Sequence, residues 1–286
     1  MFELPEYVIL ARQINETIAG KVIQRGNLGN SPHRFVWYNR TADEFEALTK
    51  GKEIGPARAR GRWLFVPLEP GYVLVLGECG GRVLFHPAGS LPPPKYHLCL
   101  WFQDGSAFTV MTQMWGAMEL YAQGEELKRQ YIRDMRPTPT DPAFTVDYLA
   151  ALVAELSQSG KRTAKGLLTQ EQLIPGLGNA IAQDILFRAG LHPKRLLADL
   201  KRSDIRKLHG AIVATINGVI ANGGRNDEVD LHNAAGGYQH LMDKNAAGHP
   251  CPKCGTKVEK LQYLGGACYF CPSCQRQPGA LVVGFE

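Results

Sequence analysis

The chain lacks the features that would place it in a membrane or in an export pathway. No run of apolar residues approaches the ~18 that a membrane-spanning helix needs. The first residues, Met-Phe-Glu-Leu-Pro-Glu-Tyr, carry acidic side chains where a signal peptide carries basic ones. The sequence contains no internal repeats and no low-complexity stretch. We therefore expect a cytoplasmic protein that has no membrane partner.

Cysteine is scarce outside one segment near the C-terminus, which holds five of the seven cysteines, and four of these five are regularly spaced. They form two Cys-x-x-Cys pairs with sixteen residues between them, a spacing that brings four thiolates onto one Zn²⁺ as a tetrahedron. Strand-like runs around a Gly-Gly turn separate the pairs and predict a β-hairpin, to which the metal would supply the folding energy. Disulfides or a chance spacing are the alternatives. The predicted ligands are Cys251, Cys254, Cys271 and Cys274.

Neither sign of charge dominates the 286 residues, whose net charge is +5. The charge is unevenly distributed, because residues 1–155 hold 16 Lys and Arg against 17 Asp and Glu, whereas residues 156–286 hold 16 against 10. A basic half that also carries a zinc hairpin favours a polyanionic partner, with nucleic acid first. An ordinary solvated surface can have the same composition.

A hydrophobic content of 44% supports two domains, and the apolar pattern predicts an α+β fold. Residues 1–135 begin with a helix and continue as many short strand-like runs between turns, which predicts a β-sandwich. Residues 136–144 contain three prolines and are the predicted linker. Residues 145–236 are predicted to be helical and residues 237–286 to form the zinc hairpin. The predicted helices are 145–158, 169–174, 179–189 and 203–221.

A second motif, Pro-Gly-Leu-Gly-Asn, lies in the helical segment and ends at Asn179. Gly176 and Gly178 allow the backbone to approach another group closely, and Asn179 can cap the helix that follows. A glycine-rich turn at a helix N-terminus exposes N–H groups that suit a phosphate. A plain connector between helices fits the same residues. A dinucleotide site does not fit them, because no apolar strand precedes the turn.

Together these pieces resemble one known family. The chain has, in order, an N-terminal Glu-Leu-Pro-Glu, a Pro-Gly-x-Gly-Asn turn opening a helix that ends Phe-Arg-Ala-Gly-x-His-Pro, and a late four-cysteine hairpin. This order resembles the formamidopyrimidine-DNA glycosylase/endonuclease VIII family of base-excision repair enzymes, over essentially the whole chain. The resemblance implies an N-terminal β-sandwich flanked by helices, a helix–two-turn–helix domain and the zinc hairpin. It also implies a monomer, associated with the bacterial nucleoid, that binds damaged or abasic duplex DNA in a basic cleft between its halves.

The N-terminus departs from the family. Its members usually begin Met-Pro-Glu, lose the Met, and attack the sugar C1′ with the freed proline amine, while the adjacent Glu is the acid that opens the deoxyribose ring. Glu3 matches the acid, although a Glu in a first helical turn is also a common partner of the helix dipole. Phe2 replaces the proline and should block removal of Met1. An α-amine has a pKa of about 8 and is partly nucleophilic, but here it would lie about 3.5 Å further along the chain from Glu3.

Other family positions also differ. Arg62 stands where the family has a catalytic Lys; it keeps the positive charge and can clamp a phosphate, but it cannot be an amine nucleophile. Gly266 stands at the hairpin tip, where the family presents an Arg to DNA. The residues that fill the gap left by a flipped base correspond to positions near Glu78, Met114 and Trp115, of which Trp115 can stack in the duplex.

The resemblance assigns the phosphate beside the flipped nucleotide to Asn179 and to neighbouring backbone N–H groups, including that of Gly178. Basic side chains in the helical domain are predicted to form a phosphate track, with a solvated helical face as the alternative. These side chains are Lys161, Arg162, Lys165, Lys194, Arg195, Lys201 and Arg202.

Three functional hypotheses follow. The first is a DNA glycosylase that flips a damaged base and hydrolyses its N-glycosidic bond, with Glu3 central and abasic-site lyase activity weak or lost. The second is a non-catalytic protein that binds lesions or abasic sites. The third is a bifunctional glycosylase/lyase in which the Met1 α-amine replaces proline. The first is preferred, because Glu3, Asn179 and the zinc scaffold are retained.

Overall fold

The computed structural model describes residues 1–31 and 33–277. They fall into a first unit, Met1–Met135 with Val219–Tyr238, and a second unit, Arg136–Gly218 with the chain from Gln239 onward. Residues 219–236, which the sequence assigns to the helical domain, and residues 237–238, which it assigns to the zinc hairpin, thus group with the first unit. The reason is local packing: Leu231 is fully buried in the core of the first unit, and its carbonyl oxygen accepts a hydrogen bond from Phe85 N at 2.8 Å.

The first unit is a sandwich of two sheets, as the sequence predicted. The four-stranded sheet runs in the order β1-β8-β9-β7, and the six-stranded sheet runs β2-β10-β6-β5-β3, with β4 paired to β5. Neighbouring strands are antiparallel except β2 and β10. The strands are β1 Ile23–Leu28, β2 Val36–Tyr38, β3 Glu53–Ile54, β4 Arg58–Arg60, β5 Trp63–Glu69, β6 Tyr72–Gly77, β7 Gly81–His86, β8 Leu98–Phe102, β9 Ala107–Thr112 and β10 Gly116–Ala122.

Helices flank this sandwich. Helix α1 (Leu4–Thr17) begins at Glu3 with a capping box and a proline in its first turn, and its apolar face joins the sheets in one core. Helix α2 (Ala42–Thr49) was missed from the sequence, although Thr41 and Glu44 form a second capping box that marks its start. A 3-10 turn (Glu125–Lys128) and the short helix α3 (Gln130–Arg133) end the segment.

The second unit is helical. It contains α4 (Val146–Ser157), α5 (Ala164–Thr169), α6 (Asn179–Ala189), a 3-10 turn (Leu197–Asp199) and α7 (Arg202–Ala221), whose last residues belong to the first unit. The predicted helix 169–174 is wrong. Thr163 caps α5, so that helix starts earlier and ends at Thr169, and Glu171 and Gln172 then turn the chain with φ of 53° and 50°.

The predicted hairpin is confirmed. Strands β11 (Glu259–Tyr263) and β12 (Gly266–Phe270) pair antiparallel, with Tyr263 opposite Gly266. Leu264 and Gly265 between them have φ of 48° and 74°, the paired positive values of a two-residue turn that follows the twist of the strands. Within the described part of the chain, we find no helix with the length and apolar character to span a bilayer.

Candidate active site and metal centre

The first two residues are built into the first unit. Phe2 is fully buried, packs edge-on against Tyr7 with ring centroids 5.9 Å apart, and donates its backbone N–H to the Cys79 carbonyl oxygen at 3.1 Å. The backbone of Met1 lies against Gly80, where an added Cβ would come within 2.6 Å of Met1 Cα. The hydrophobic second residue therefore anchors the start of the chain instead of leaving it free.

Met1 is held at both ends of its backbone. Its nitrogen donates to Glu228 Oε1 at 2.8 Å, and its carbonyl oxygen accepts a hydrogen bond from Arg225 Nη2 at 2.9 Å. The residue also borders a polar cavity of about 160 Å³. The other residues that line this cavity are Gly81, Arg82, Gln113, Asp227, Glu228 and Val229.

Glu3 follows Met1 and Phe2 in the chain and is only 4% exposed. Its side chain accepts from the backbone N–H of Glu6, while the Glu6 carboxylate accepts from the backbone N–H of Glu3 at 2.9 Å. The alternative interpretation of Glu3, as a partner of the helix N-terminus, is therefore observed. Capping fixes the position of this carboxyl group at the start of α1, two residues along the chain from Met1.

Arg225 was missed by sequence reasoning, although it is the largest of the fully buried side chains in the described residues. Its Nε donates to Glu6 Oε1 at 2.9 Å, and its Nη2 lies 3.4 Å from Glu228 Oε1. Burial lowers the pKa of Arg225, but the carboxylates of Glu6 and Glu3 outweigh it and hold that pKa above its usual value. The only sequence signal was a local cluster of charge after Gly223 and Gly224, in the run Arg-Asn-Asp-Glu-Val-Asp.

Arg62, the predicted phosphate clamp, lies in the turn between β4 and β5 and pairs with Glu78 at 3.1 Å. The Glu78 carboxylate thus offsets the charge that was expected to face DNA. Glu78 itself is in the left-handed region, with φ of 51°. Burial, and then the charge of Glu78, raise the pKa of Cys79 to about 12, so this thiol is not a nucleophile at neutral pH.

Trp115 lies on an aromatic surface. It is 40% exposed, stacks on Trp37 with ring centroids 5.8 Å apart and planes 9° apart, and packs against Phe35 at 4.7 Å. The Arg34 guanidinium lies 5.5 Å from the Phe35 ring. Exposed, flat aromatic rings beside a cation suit the stacking of nucleobases.

In the second unit, the glycine-rich turn leads into α6 as predicted, but the cap differs. Gly178 is the N-cap, and Asn179 is the first helical residue, whose side chain donates to the Ala267 carbonyl oxygen at 3.4 Å. Gln183 donates to the same oxygen at 2.7 Å and accepts from Tyr269 N at 3.1 Å. One face of α6 is therefore joined to strand β12, because its polar side chains satisfy the backbone of that strand.

The predicted phosphate track is divided by the structure. Lys165 is 1% exposed and donates to the carbonyl oxygens of Tyr263 and Gly266 at 2.6 and 3.3 Å, so its assignment to phosphate binding is corrected. Lys161 and Lys194 are exposed, with the Lys194 ammonium 5.4 Å from the Tyr263 ring. Arg195 is half-buried and donates to the Asp199 carbonyl oxygen at 2.8 Å.

The four predicted zinc ligands come together. Their Sγ atoms all lie within 4.8 Å of one another, and separations of 3.4 Å (Cys254–Cys271 and Cys254–Cys274) and 3.9 Å (Cys251–Cys274) are observed. A tetrahedral Zn²⁺ with Zn–S bonds near 2.3 Å would place its ligands about 3.8 Å apart. Backbone N–H groups of Lys253 and Cys274 also point at the sulfurs of Cys251 and Cys271. The donor set therefore fits one structural zinc ion, which would hold the two ends of the hairpin together.

Two family models match the chain in successive parts. The family model described as formamidopyrimidine-DNA glycosylase N-terminal domain matches residues 1–116, and the one described as formamidopyrimidine-DNA glycosylase H2TH domain matches residues 135–229. The formamidopyrimidine-DNA glycosylase of Geobacillus kaustophilus is 32% identical over 287 residues, covering 96% of this chain and 100% of the relative. That of Moorella thermoacetica is 32% identical over 267 residues, covering 92% and 95%.

Solved structures agree in fold. The MutM (Fpg) protein of Thermus thermophilus aligns with a TM-score of 0.80 at 26% identity, over 96% of this chain and 98% of its own. The Lactococcus lactis Fpg, in a complex with DNA containing an oxidised pyrimidine, aligns with a TM-score of 0.83 at 25% identity, over 96% and 100%. The matches thus extend over nearly the whole length of the chain. The chain belongs to the formamidopyrimidine-DNA glycosylase family.

Proposed function

We propose that the protein is a base-excision repair DNA glycosylase that binds duplex DNA carrying a damaged base and breaks its N-glycosidic bond. Family membership supports the reaction, and the complex of the Lactococcus lactis relative with oxidised-pyrimidine DNA supports the substrate class. The observation that carries the proposal is the buried Glu3 carboxyl group, fixed by its capping box at the start of α1. We also propose that it acts at the bacterial nucleoid, where its duplex DNA substrate is found.

Each proposed role uses a residue whose surroundings suit it. Glu3 is the proton donor to the deoxyribose ring, because capping fixes its position and burial shields it from water. Trp115 fills the gap left by the flipped nucleotide, with Trp37 supporting its ring from behind. The exposed Lys161 and Lys194 bind phosphates. Zinc has no part in the chemistry and supplies folding energy to the hairpin on which α6 rests.

A second candidate activity, cleavage of the strand at the abasic product, is supported by the position of Met1. Its nitrogen points at a carboxylate on the wall of the 160 Å³ cavity, so an amine is present where a sugar aldehyde could reach it. The loss of the family proline does not by itself remove an amine from this place.

Release of free base from lesion-containing duplexes tests the primary proposal. The panel should include oxidised pyrimidines and ring-opened purines, with base release followed by mass spectrometry. Glu3→Gln keeps an oxygen that can cap α1 but removes the acid, so release should fall by about 100-fold or more. Glu16→Gln, an exposed change of the same charge on the same helix, is the matched control. Tight, salt-sensitive binding with no release from any duplex would instead establish a lesion-binding protein.

A further inference from the structure

Two charged side chains, Glu228 and Arg225, contact the backbone of Met1 in the first unit. Glu228 Oε1 lies 2.8 Å from the Met1 nitrogen and 3.4 Å from Arg225 Nη2, and the same Nη2 donates to the Met1 carbonyl oxygen at 2.9 Å. Arg225 is only 2% exposed and is held by Glu6 through a second nitrogen. A buried guanidinium with its carboxylate partners has little freedom to move, because every alternative position leaves a charge unpaired in the protein interior.

We propose that Arg225 and Glu228 form a clamp that presents the Met1 nitrogen to the aldehyde carbon of an abasic sugar in the adjoining cavity. This inference rests on the proposed function and deepens it, since it names the residues that would make the nitrogen reactive. Arg225 is a positioning residue, acting through the Met1 carbonyl and through Glu228. Glu228 touches the reacting nitrogen and is its proton acceptor.

The chemistry balances without a further reactant. The Glu228 carboxylate accepts one proton from the ammonium, and the freed lone pair forms a bond to the aldehyde carbon C1′. The carbonyl oxygen takes up the proton returned by Glu228 and becomes a hydroxyl. A second N–H proton then moves to this hydroxyl, which leaves as water. The product is an iminium with one remaining N–H, and the ammonium's positive charge is conserved.

The shape of the site supports retention of Met1. The close approach of its Cα to Gly80 leaves no room for a Cβ at that position, and the buried Phe2 ring fixes the next residue. The contacts that the clamp makes are to backbone atoms of Met1, so these contacts do not depend on the Met1 side chain. An N-terminal methionine is thus accommodated by a dedicated set of contacts.

The charged groups that face this nitrogen come from several elements. Glu228 and Asp227 lie on the segment after α7, Arg82 on β7 lines the same cavity, and Arg225 lies behind the carbonyl oxygen. The Arg62 Nη1 lies 3.7 Å from the Met1 Sδ. Only Glu228 contacts the nitrogen as a carboxylate among the described contacts, so it is the residue whose removal should slow proton transfer from that nitrogen.

The first test combines the intact mass of the purified full chain with borohydride trapping on abasic-site DNA. We expect a mass that includes Met1 and a covalent protein–DNA adduct at that residue. Glu228→Gln should slow trapping about 100-fold near neutral pH, because the ammonium loses its proton acceptor. Glu16→Gln should trap at the wild-type rate, and both variants should bind abasic DNA as the wild type does.

A second pair of variants tests position rather than proton transfer. Gly80→Ala inserts a Cβ against Met1 Cα and should slow trapping at every pH, whereas Gly210→Ala, a glycine on α7 with open space around it, should not. Removal of Met1 in the native protein, or wild-type trapping by Glu228→Gln across the pH range, would overturn the clamp. Base release by the wild type without any trapped adduct would also overturn it and leave the glycosylase standing, whereas absence of both activities would reject the proposed function itself.

Discussion

The two units bury polar side chains in opposite ways. In the first unit buried charges pair with other charges, as Arg225 does with Glu6 and Arg129 with the buried Glu119. In the second unit buried polar side chains serve the backbone. Lys165 donates to carbonyl oxygens of the hairpin, and the fully buried Asp184 accepts from the N–H groups of Leu241 and Met242.

The difference follows from how little apolar core surrounds the hairpin. The first unit has a large sandwich core, which can enclose a site made of ionised groups without losing its shape. The cluster around the hairpin is small, built mainly on Phe187, Met242 and Val258 beside the cysteines, so metal and polar side chains must hold its backbone in place. Charge in the first unit is therefore available for chemistry, whereas the buried polar groups around the hairpin are committed to structure.

Removal of the metal should produce the largest difference in stability between the two units. Structural zinc contributes on the order of 10 kcal/mol to small zinc-binding folds. A strong chelator, or Cys254→Ser, should therefore remove one zinc per chain and abolish protection of the β11 and β12 amides from hydrogen exchange, while the strands of the first unit stay protected. Cys268→Ala, a buried thiol of the same hairpin outside the cluster, should keep its zinc. Loss of protection in both units together would contradict the division.

Breaking the buried ion pair should have the next largest effect, now in the first unit. Arg225→Met removes the cation and leaves Glu6 buried without it, at a cost of about 3–5 kcal/mol in the free energy of unfolding. Urea denaturation, followed by the fluorescence of the first unit, measures this loss. The double variant Arg225→Met/Glu6→Gln should recover much of it, because no uncompensated charge remains. Arg12→Met, an exposed arginine on α1, should change little.

How far the sequence predicts each unit depends on whether the signal is local. The cysteine spacing, the helical spacing of apolar residues in 4–20 and the Gly-x-Gly-Asn turn are local patterns, and they predicted the hairpin, α1 and α6. Arg225 and Glu228 contact Glu6 and Met1 from more than 200 residues away, so no window of sequence reveals the pairing. Lys165 was misassigned for the same reason, since only the folded hairpin shows that its ammonium is enclosed by carbonyl oxygens.

A substitution at Lys165 tests whether buried polar side chains of the second unit stabilise the backbone of the hairpin. Lys165→Met keeps most of the side-chain volume but leaves the carbonyl oxygens of Tyr263 and Gly266 without their buried donor, at a cost of about 1–3 kcal/mol. Hydrogen exchange at the hairpin turn should rise, with zinc content unchanged. Lys161→Met removes the same charge from an exposed position and is the matched control. If Lys161→Met weakens DNA binding and Lys165→Met loosens the hairpin, phosphate binding and structure are assigned to different lysines.

The smallest effect concerns a buried histidine of the first unit. His97 is 1% exposed, and its Nδ1 accepts a hydrogen bond from Thr112 N at 3.1 Å, which requires a neutral ring nitrogen. Burial, and then the neighbouring His33, lower the pKa of His97, while a backbone contact with Ser31 raises it less.

Because the pKa of an unfolded histidine is about 6.5, the unfolded chain takes up this proton before the folded one does. The stability that His97 contributes is therefore complete above pH ~6.5 and is lost as the pH falls below it. Between pH 7 and pH 5 the wild type should lose more stability than His97→Gln, whereas His232→Gln, an exposed histidine of the same unit, should follow the wild type. The free energy of unfolding, measured by urea denaturation, could instead depend equally on pH in all three proteins. That result would mean that the sandwich tolerates an unpaired buried cation, and the pairing of Arg225 would then need another explanation.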